Sequence, residues 1–277
     1  MEKKIIRVFP CRTNATLDDK VSKAIYVLRK MEAIALRYSP DGFHVAFSGG
    51  KDSQVIYELC RMAGVKFKAF FYKTSVDPPE LLKFIRSDYP DVIWLKPEKT
   101  MFQLILEKKM LPMRNRRYCC DVIKERRGLN EVVVIGVRRQ ESPRRAKRKL
   151  FTNECKLGCD KPLLSIILDW TTYEVFEFLA QKDIRVCPLY RLVDRIGCIG
   201  CPMNCKSQRQ ELRMYPMFRK AYINTIEKLR ILYGRYMEFD SAEDAFNWWC
   251  SGLSKRKYLA EKKQLKFPYW EEIKTFS

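Results

Sequence analysis

Apolar and polar positions alternate along this chain in two rhythms, one helical and one strand-like. Val21, Ile25, Leu28, Ile34 and Leu36 fall at helical spacing behind the cap region Thr13 to Thr16, which predicts a helix over 17–38. Strand-like runs then recur at 43–48, 66–72, 92–96 and 131–137, with helical patterns between them at 51–63, 79–88, 99–109 and 117–127. A last repeat is predicted at 163–168 and 171–181, with Thr171 or Thr172 as the helix cap. Such alternation predicts an α/β fold, a parallel twisted sheet of about five strands with helices on both faces. Past residue 185 the pattern changes to a cysteine-rich loop at 186–206 and then to helices, including 208–236 and 242–249. The expected organisation is an N-terminal extension with its helix (1–40), an α/β domain (41–185), and a cysteine-rich loop with a helical C-terminal region (186–277). The last region is expected to pack on the core, because Trp248, Trp249 and Trp270 need apolar cover.

The first chemistry lies where the first strand gives way to a helix. Ser48-Gly49-Gly50-Lys51-Asp52-Ser53 follows the apolar run His44 to Phe47, and a glycine pair there bares backbone N–H groups at the positive end of the next helix. Parallel sheets bind ligands at the carboxyl ends of their strands, so an anion, a nucleotide's phosphate, is expected on this loop. The spacing is not that of the Walker loop. The bland alternative is a polar turn capped by Ser48 or Asp52.

Composition narrows the class. A 47% apolar fraction with 16 Phe, 14 Tyr and 5 Trp excludes global disorder. Residues 1–7 hold no apolar export core and no long apolar run occurs, so the expectation is a soluble, cytoplasmic protein without a membrane partner. With one histidine, His44, schemes built on several histidines are out, and His44 is read as structural. The net charge is +21, and seven cations stand in the twelve residues 138–149, with further clusters at 114–127 and 255–266. Such clustering fits a nucleic-acid partner through counterion release, or a mobile basic loop.

Eleven cysteines in a chain read as cytoplasmic point to metal or redox chemistry rather than structural disulfides. Cys198-Ile199-Gly200-Cys201 is a C-x2-C turn that converges two thiolates, with Gly200 allowing the tight turn. Two further ligands are needed. Cys119 and Cys120 are adjacent, which suits the separate corners of an iron–sulfur cubane better than one small zinc ion. Cys187 or Cys205 can replace one or both of that pair. Cys155 and Cys159 form a second half-site or none, and Cys11, Cys60 and Cys250 read as small apolar side chains.

Taken in order, these segments resemble the phosphoadenosine phosphosulfate (PAPS) reductase family, in the iron–sulfur branch of the PP-loop ATP pyrophosphatase superfamily (adenine nucleotide alpha hydrolase-like). The resemblance rests on Ser48 to Ser53, Val76-Asp77-Pro78-Pro79-Glu80, Tyr118-Cys119-Cys120, Gly136-Val137-Arg138 through Glu141, Ser142 and Arg145, Asp169-Trp170, and Cys198 to Pro202. It implies that Ser48, Gly49, Gly50, Lys51, Asp52 and Ser53 cradle nucleotide phosphates, that Gly136 and Arg138 line the nucleotide site, and that Arg145 pairs with anionic oxygens. It also implies a 4Fe-4S cluster on Cys119, Cys120, Cys198 and Cys201, with zinc as the alternative. Family members that reduce sulfonucleotides carry a catalytic cysteine in a C-terminal Glu-Cys-Gly-Leu/Ile-His segment. Residues 271–277 contain no such segment, and Cys250 stands in a Trp-Trp-Cys-Ser-Gly setting instead.

The expected function is therefore ATP-dependent adenylylation, with pyrophosphate release, coupled to sulfur transfer onto a nucleic-acid acceptor, DNA or tRNA. Lys51 is expected to stabilise phosphate charge and Asp52 to hold Mg2+ or cap the helix. The expected substrate is ATP or a sulfonucleotide and the expected sulfur donor a protein such as a cysteine desulfurase, with an oligomer among the states the sequence allows. The alternatives are a PAPS or adenylylsulfate reductase-type oxidoreductase, and a metal-stabilised nucleic-acid-binding protein without catalysis.

Overall fold

The computed structural model describes residues 15–204 and 208–266. Cys11, Cys205, Trp270 and the side chain of Cys155 lie outside the described residues. In chain order the elements are α1 (Leu17–Tyr38), β1 (Phe43–Phe47), α2 (Lys51–Ala63), β2 (Phe67–Tyr72), α3 (Pro79–Asp88), β3 (Ile93–Leu95), α4 (Met101–Lys108), the short α5 (Tyr118–Cys120), β4 (Val133–Val134), α6 (Pro143–Ala146), β5 (Phe151–Lys156), β6 (Cys159–Leu164), α7 (Thr172–Gln181), α8 (Gln208–Met214), α9 (Pro216–Tyr233), α10 (Ala242–Ser251) and α11 (Lys255–Lys266).

The strands form a six-stranded sheet in the order β3-β2-β1-β4-β6-β5, flanked by helices, which is the α/β class the pattern predicts. β1 pairs in parallel with β2 and with β4, and β4 in parallel with β6. Parallel neighbours leave no face to water, and the side chains agree: Phe43, Val45, Phe47, Val133, Val134, Leu163 and Leu164 are all buried. α1 packs on α2 and β1, while α2 packs on β1 and α7. Thr16 caps α1 in a reciprocal box with Asp19, accepting from the Asp19 N–H at 3.2 Å, and Thr171 does the same for α7 with Glu174. Both caps fall in the regions predicted.

The sheet departs from expectation at one edge. β5 is a sixth strand, antiparallel to β6, in a stretch too polar to read as a strand. Leu157 and Gly158 both have positive φ, +56° and +74°, so a two-residue turn of the hairpin kind joins the two strands. The predicted strand at 163–168 overlaps only the end of β6. Ser165 to Leu168 stay buried but lie outside any strand, and burial alone makes that run look strand-like.

The chain divides into two compact units. One unit takes the described residues up to Phe71, α1 among them, with Lys83–Trp94 and Gly128–Asp194. The other takes Tyr72–Leu82, Leu95–Arg127 and the described residues from Arg195 onward. The second unit has its own core, in which Met101, Leu104 and Ile105 of α4 meet Tyr222, Ile226 and Leu229 of α9 and Phe246, Trp248 and Trp249 of α10. Trp248 and Trp249 are buried there, and the Trp249 indole N–H donates to the Pro112 carbonyl at 2.8 Å. No described helix is long and apolar enough to cross a membrane.

Phe47 is 2% exposed, with its ring centroid 4.6 Å from that of Tyr89 and 5.6 Å from that of Tyr57. Phe47→Ala is expected to cost about 3–5 kcal/mol in the sheet unit, read as a lower urea midpoint by circular dichroism.

Candidate functional site

The anion loop is built within the sheet unit. β1 ends at Phe47 and α2 starts at Lys51, so three residues must turn the chain and leave the helix N-terminus open. Gly49 does this at φ +70°, a conformation that disfavours any side chain. Gly50 is the N-cap, and no side chain caps α2, so the turn capped by Ser48 or Asp52 is not what forms. The Ser53 hydroxyl instead donates to the Gly50 carbonyl at 2.7 Å and accepts from the Ser48 hydroxyl at 3.2 Å. Among the described residues, the N–H groups of Gly49, Gly50 and Asp52 have no acceptor. The Lys51 N–H donates to the Tyr190 hydroxyl at 2.8 Å.

Asp52 is held by cations on both oxygens. Arg138 Nε donates to Oδ1 at 2.6 Å, and Lys51 Nζ lies 3.3 Å from Oδ2. Arg138 is 3% exposed and also donates to Thr172 Oγ1 and Gln140 Oε1. Arg138 therefore braces the first turn of α2 through Asp52 instead of presenting a free guanidinium. Asp52, expected as a metal ligand or helix cap, is an ion-pair partner. Gly136 permits this approach, since a Cβ on it would come within 3.0 Å of the Asp52 backbone.

Lys51 is buried, its ammonium 5.5 Å from the Tyr190 ring centroid and 5.8 Å from that of Phe176. Two aromatic faces and one carboxylate hold this cation beside the open N–H groups. The basic cluster after Arg138 is largely self-neutralised: Arg139 pairs with Asp169, Arg145 with Glu141 and Arg148 with Glu154. Arg145 is thus engaged by its neighbour one helical turn back. Arg144, Lys147 and Lys149 are exposed and unpaired among the described residues. His44 is structural, bonded to Glu131 at 2.6 Å and stacked on Phe70.

The cysteine constellation belongs to the second unit. Cys119 and Cys120 end α5 and lead into a π-helical turn, Asp121–Glu125, a kind of irregularity frequent at functional sites. Gly200 takes φ +74° between Cys198 and Cys201, and a Cβ there would meet Tyr222 at 3.0 Å. The turn is pinned at Ile199 and at the glycine itself. Ile199 N–H donates to Val76 O at 2.8 Å, its carbonyl accepts from the Tyr222 hydroxyl at 3.0 Å, and Gln208 donates to Gly200 O at 2.9 Å.

The charges of Cys120, Cys198 and Cys201 bear on Cys119, and those of Cys198 and Cys120 on Cys201. Hydrogen bonds from Cys119 and from Arg117 hold Cys120 below the ordinary thiol range, while Cys119 is pushed up. The Lys124 ammonium lies 3.8 Å from Cys198 Sγ, whose charge, opposed by burial, pushes the lysine up. Cys198 also lies 3.5 Å from Thr74 Oγ1, and Asp77 accepts from both the N–H and the hydroxyl of Thr74. Among the described residues, no group of three or more histidine, cysteine or carboxylate side chains is already arranged around a metal position. Lys124 and Arg117 place positive charge beside these sulfurs. Cys187, the alternative ligand, is buried in the sheet unit below the turn that carries Tyr190. Cys250 is buried as well, its thiol pushed up to about 12 by desolvation.

Three contributors escaped the sequence reading. Tyr190 had no motif of its own. Lys124 and Arg117 were counted with a basic cluster, when their charges face cysteines. The spacing of Lys124 four residues after Cys120, one helical turn on, was the available signal.

The model of the phosphoadenosine phosphosulfate reductase domain matches residues 42–204, more than half of the chain. The chain belongs to the phosphoadenosine phosphosulfate reductase domain family. That family places it among adenine-nucleotide enzymes of the PP-loop superfamily. An uncharacterized protein of Methanocaldococcus jannaschii is 26% identical over 67% of this chain and 47% of its own length, so the chain spans about half of that relative. A probable FAD synthase of Schizosaccharomyces pombe is 25% identical over 66% of this chain and 72% of its own. Among solved structures, Candida glabrata FMN adenylyltransferase superposes with a TM-score of 0.49 at 17% identity, covering 68% of this chain and 66% of that one. The PAPS reductase of Candida auris gives 0.45 at 14% identity, covering 67% and 96%.

Asp52→Ala strips the buried Arg138 of its strongest partner. The expected loss is about 3 kcal/mol of stability in this family member, measured by denaturant unfolding.

Proposed function

We propose that this chain transfers an adenylyl group from ATP to an acceptor oxygen and prepares that acceptor for substitution by sulfur. The acceptor oxygen attacks the α-phosphorus, the bond to the β-phosphate oxygen breaks, and pyrophosphate leaves. A sulfur nucleophile from a donor protein then displaces AMP. The observation that carries this reading is the open start of α2, with N–H groups of Gly49, Gly50 and Asp52 lacking acceptors beside the fixed Lys51 ammonium. Such an array stabilises charge that builds on departing phosphate without having to reorganise. Mg2+ in this reading is carried by the phosphates, since both oxygens of Asp52 already face cations.

Two further observations support the choice. Cys250, the one cysteine in this sequence beyond Cys205, is buried with a raised pKa, the opposite of a poised nucleophile, which argues against a covalent reductase step there. The relative named as a probable FAD synthase makes an adenylate-containing product. For the acceptor, the exposed and unpaired Arg144, Lys147 and Lys149 favour a polyanion, DNA or tRNA. A second reading, reduction of a sulfonucleotide with an external thiol, is favoured by the family match itself.

Cys119, Cys120, Cys198 and Cys201 would hold a 4Fe-4S cluster, with Lys124 and Arg117 offsetting its negative charge; when bound, it supplies one-electron chemistry. Anaerobic purification is expected to give a brown protein with iron and sulfide in about equal amounts. A colourless zinc protein would remove the cluster from this proposal.

With Mg-ATP and tRNA or DNA, the wild type is expected to release pyrophosphate, and Lys51→Ala to do so about 100-fold more slowly. Sulfite release from PAPS with a thiol reductant, and no pyrophosphate from ATP, would favour the second reading.

A further inference from the structure

Tyr190 stands at the anion loop without belonging to any motif. It is carried by a tight helical turn at Pro188–Arg191, and its ring meets that of Phe176 edge to face with centroids 5.8 Å apart. Its hydroxyl accepts the Lys51 N–H at 2.8 Å and lies so close to Gly50 that a Cβ there would come within 3.2 Å of it. A phenol is both acceptor and donor. Here the acceptor side is used by the loop, while the phenolic hydrogen has no acceptor among the described residues. An accepted hydrogen bond polarises the O–H and makes it a better donor. Burial also pushes this phenol above its ordinary pKa, so the hydrogen stays in place through the working pH range.

The N–H groups of Gly49, Gly50 and Asp52, the Lys51 ammonium and the phenolic O–H are the donors at this loop, and the one carboxylate there, Asp52, is already claimed by Arg138 and Lys51. We infer that Tyr190 is a nucleotide-binding residue that donates its phenolic hydrogen to a phosphate oxygen held at the Ser48 to Ser53 loop, completing the backbone cradle with one side-chain donor. This rests on the proposed use of the loop for ATP. Tyr190 also fixes the loop through the Lys51 N–H, so the same hydroxyl shapes the cradle and closes it.

Titration calorimetry of the wild type and Tyr190→Phe with ATP, inorganic pyrophosphate and adenosine tests the assignment. The variant keeps the ring over Lys51 and loses only the hydroxyl; its melting curve verifies that it is folded. Affinity for ATP and for pyrophosphate is expected to fall by about 10-fold to 100-fold, the range for a hydrogen bond to a charged group, with adenosine affinity unchanged. Equal or tighter binding of ATP by the variant overturns the inference, tighter binding meaning that the hydroxyl competes with phosphate for the Lys51 N–H. A parallel loss of adenosine affinity overturns it too, since the residue would then be merely structural. Failure of the wild type to bind ATP or pyrophosphate overturns both this inference and the ATP reading beneath it.

Discussion

With only three residues between a buried parallel strand and the helix that follows, the N–H groups of Gly49, Gly50 and Asp52 are left without an acceptor among the described residues, and much of the sheet unit is organised around that deficit. Gly49 bends the chain so that the groups face one way. Asp52 would oppose an anion there, and it is neutralised from both sides by Lys51 and by the buried Arg138. Arg138 in turn is fixed by Thr172 and Gln140, so the start of α7 and the segment after β4 both serve the start of α2. Gly136 is glycine because the backbone of α2 passes over it. The loop's positive character thus comes from dipoles and from one lysine, while Arg138 is occupied in restraining a carboxylate.

The second unit solves a different problem. Four thiols near one another repel when ionised, and burial penalises each charge further. The protein offsets that cost by setting Lys124 beside Cys198 and Arg117 beside Cys120. The π-helical turn after the cysteine pair matters here: it carries Lys124 on the segment that directly follows the two thiols.

Much of this was legible in the sequence, for identifiable reasons. α1, α2 and α3 fall at their predicted limits because each has an amphipathic face, and α1 has a cap that no strand would share. The glycine loop was legible because its geometry is local. β5 was missed because an edge strand beside a hairpin turn can be polar on its open side. The run after β6 misled because a buried irregular segment and a buried strand share one composition. What the loop's arginines do was hidden for a stronger reason: Arg138 and Arg145 look free in a linear reading, and only the fold shows that Asp52 and Glu141 claim them. Tyr190 is the extreme case, since its partner is far away in sequence and the bond runs to backbone, which leaves no trace in residue type.

The way the two units share the chain sets the order in which they can be completed. Each is stitched from three separated stretches, and the chain passes between them repeatedly before the last stretch of either begins. During synthesis the adjacent cysteines at 119 and 120 emerge well before Cys198 and Cys201, and the core that buries the first pair is supplied mainly by helices beyond residue 207. A nascent chain halted between the two motifs therefore carries its first cysteine pair without the apolar cover that α9 and α10 give the finished unit.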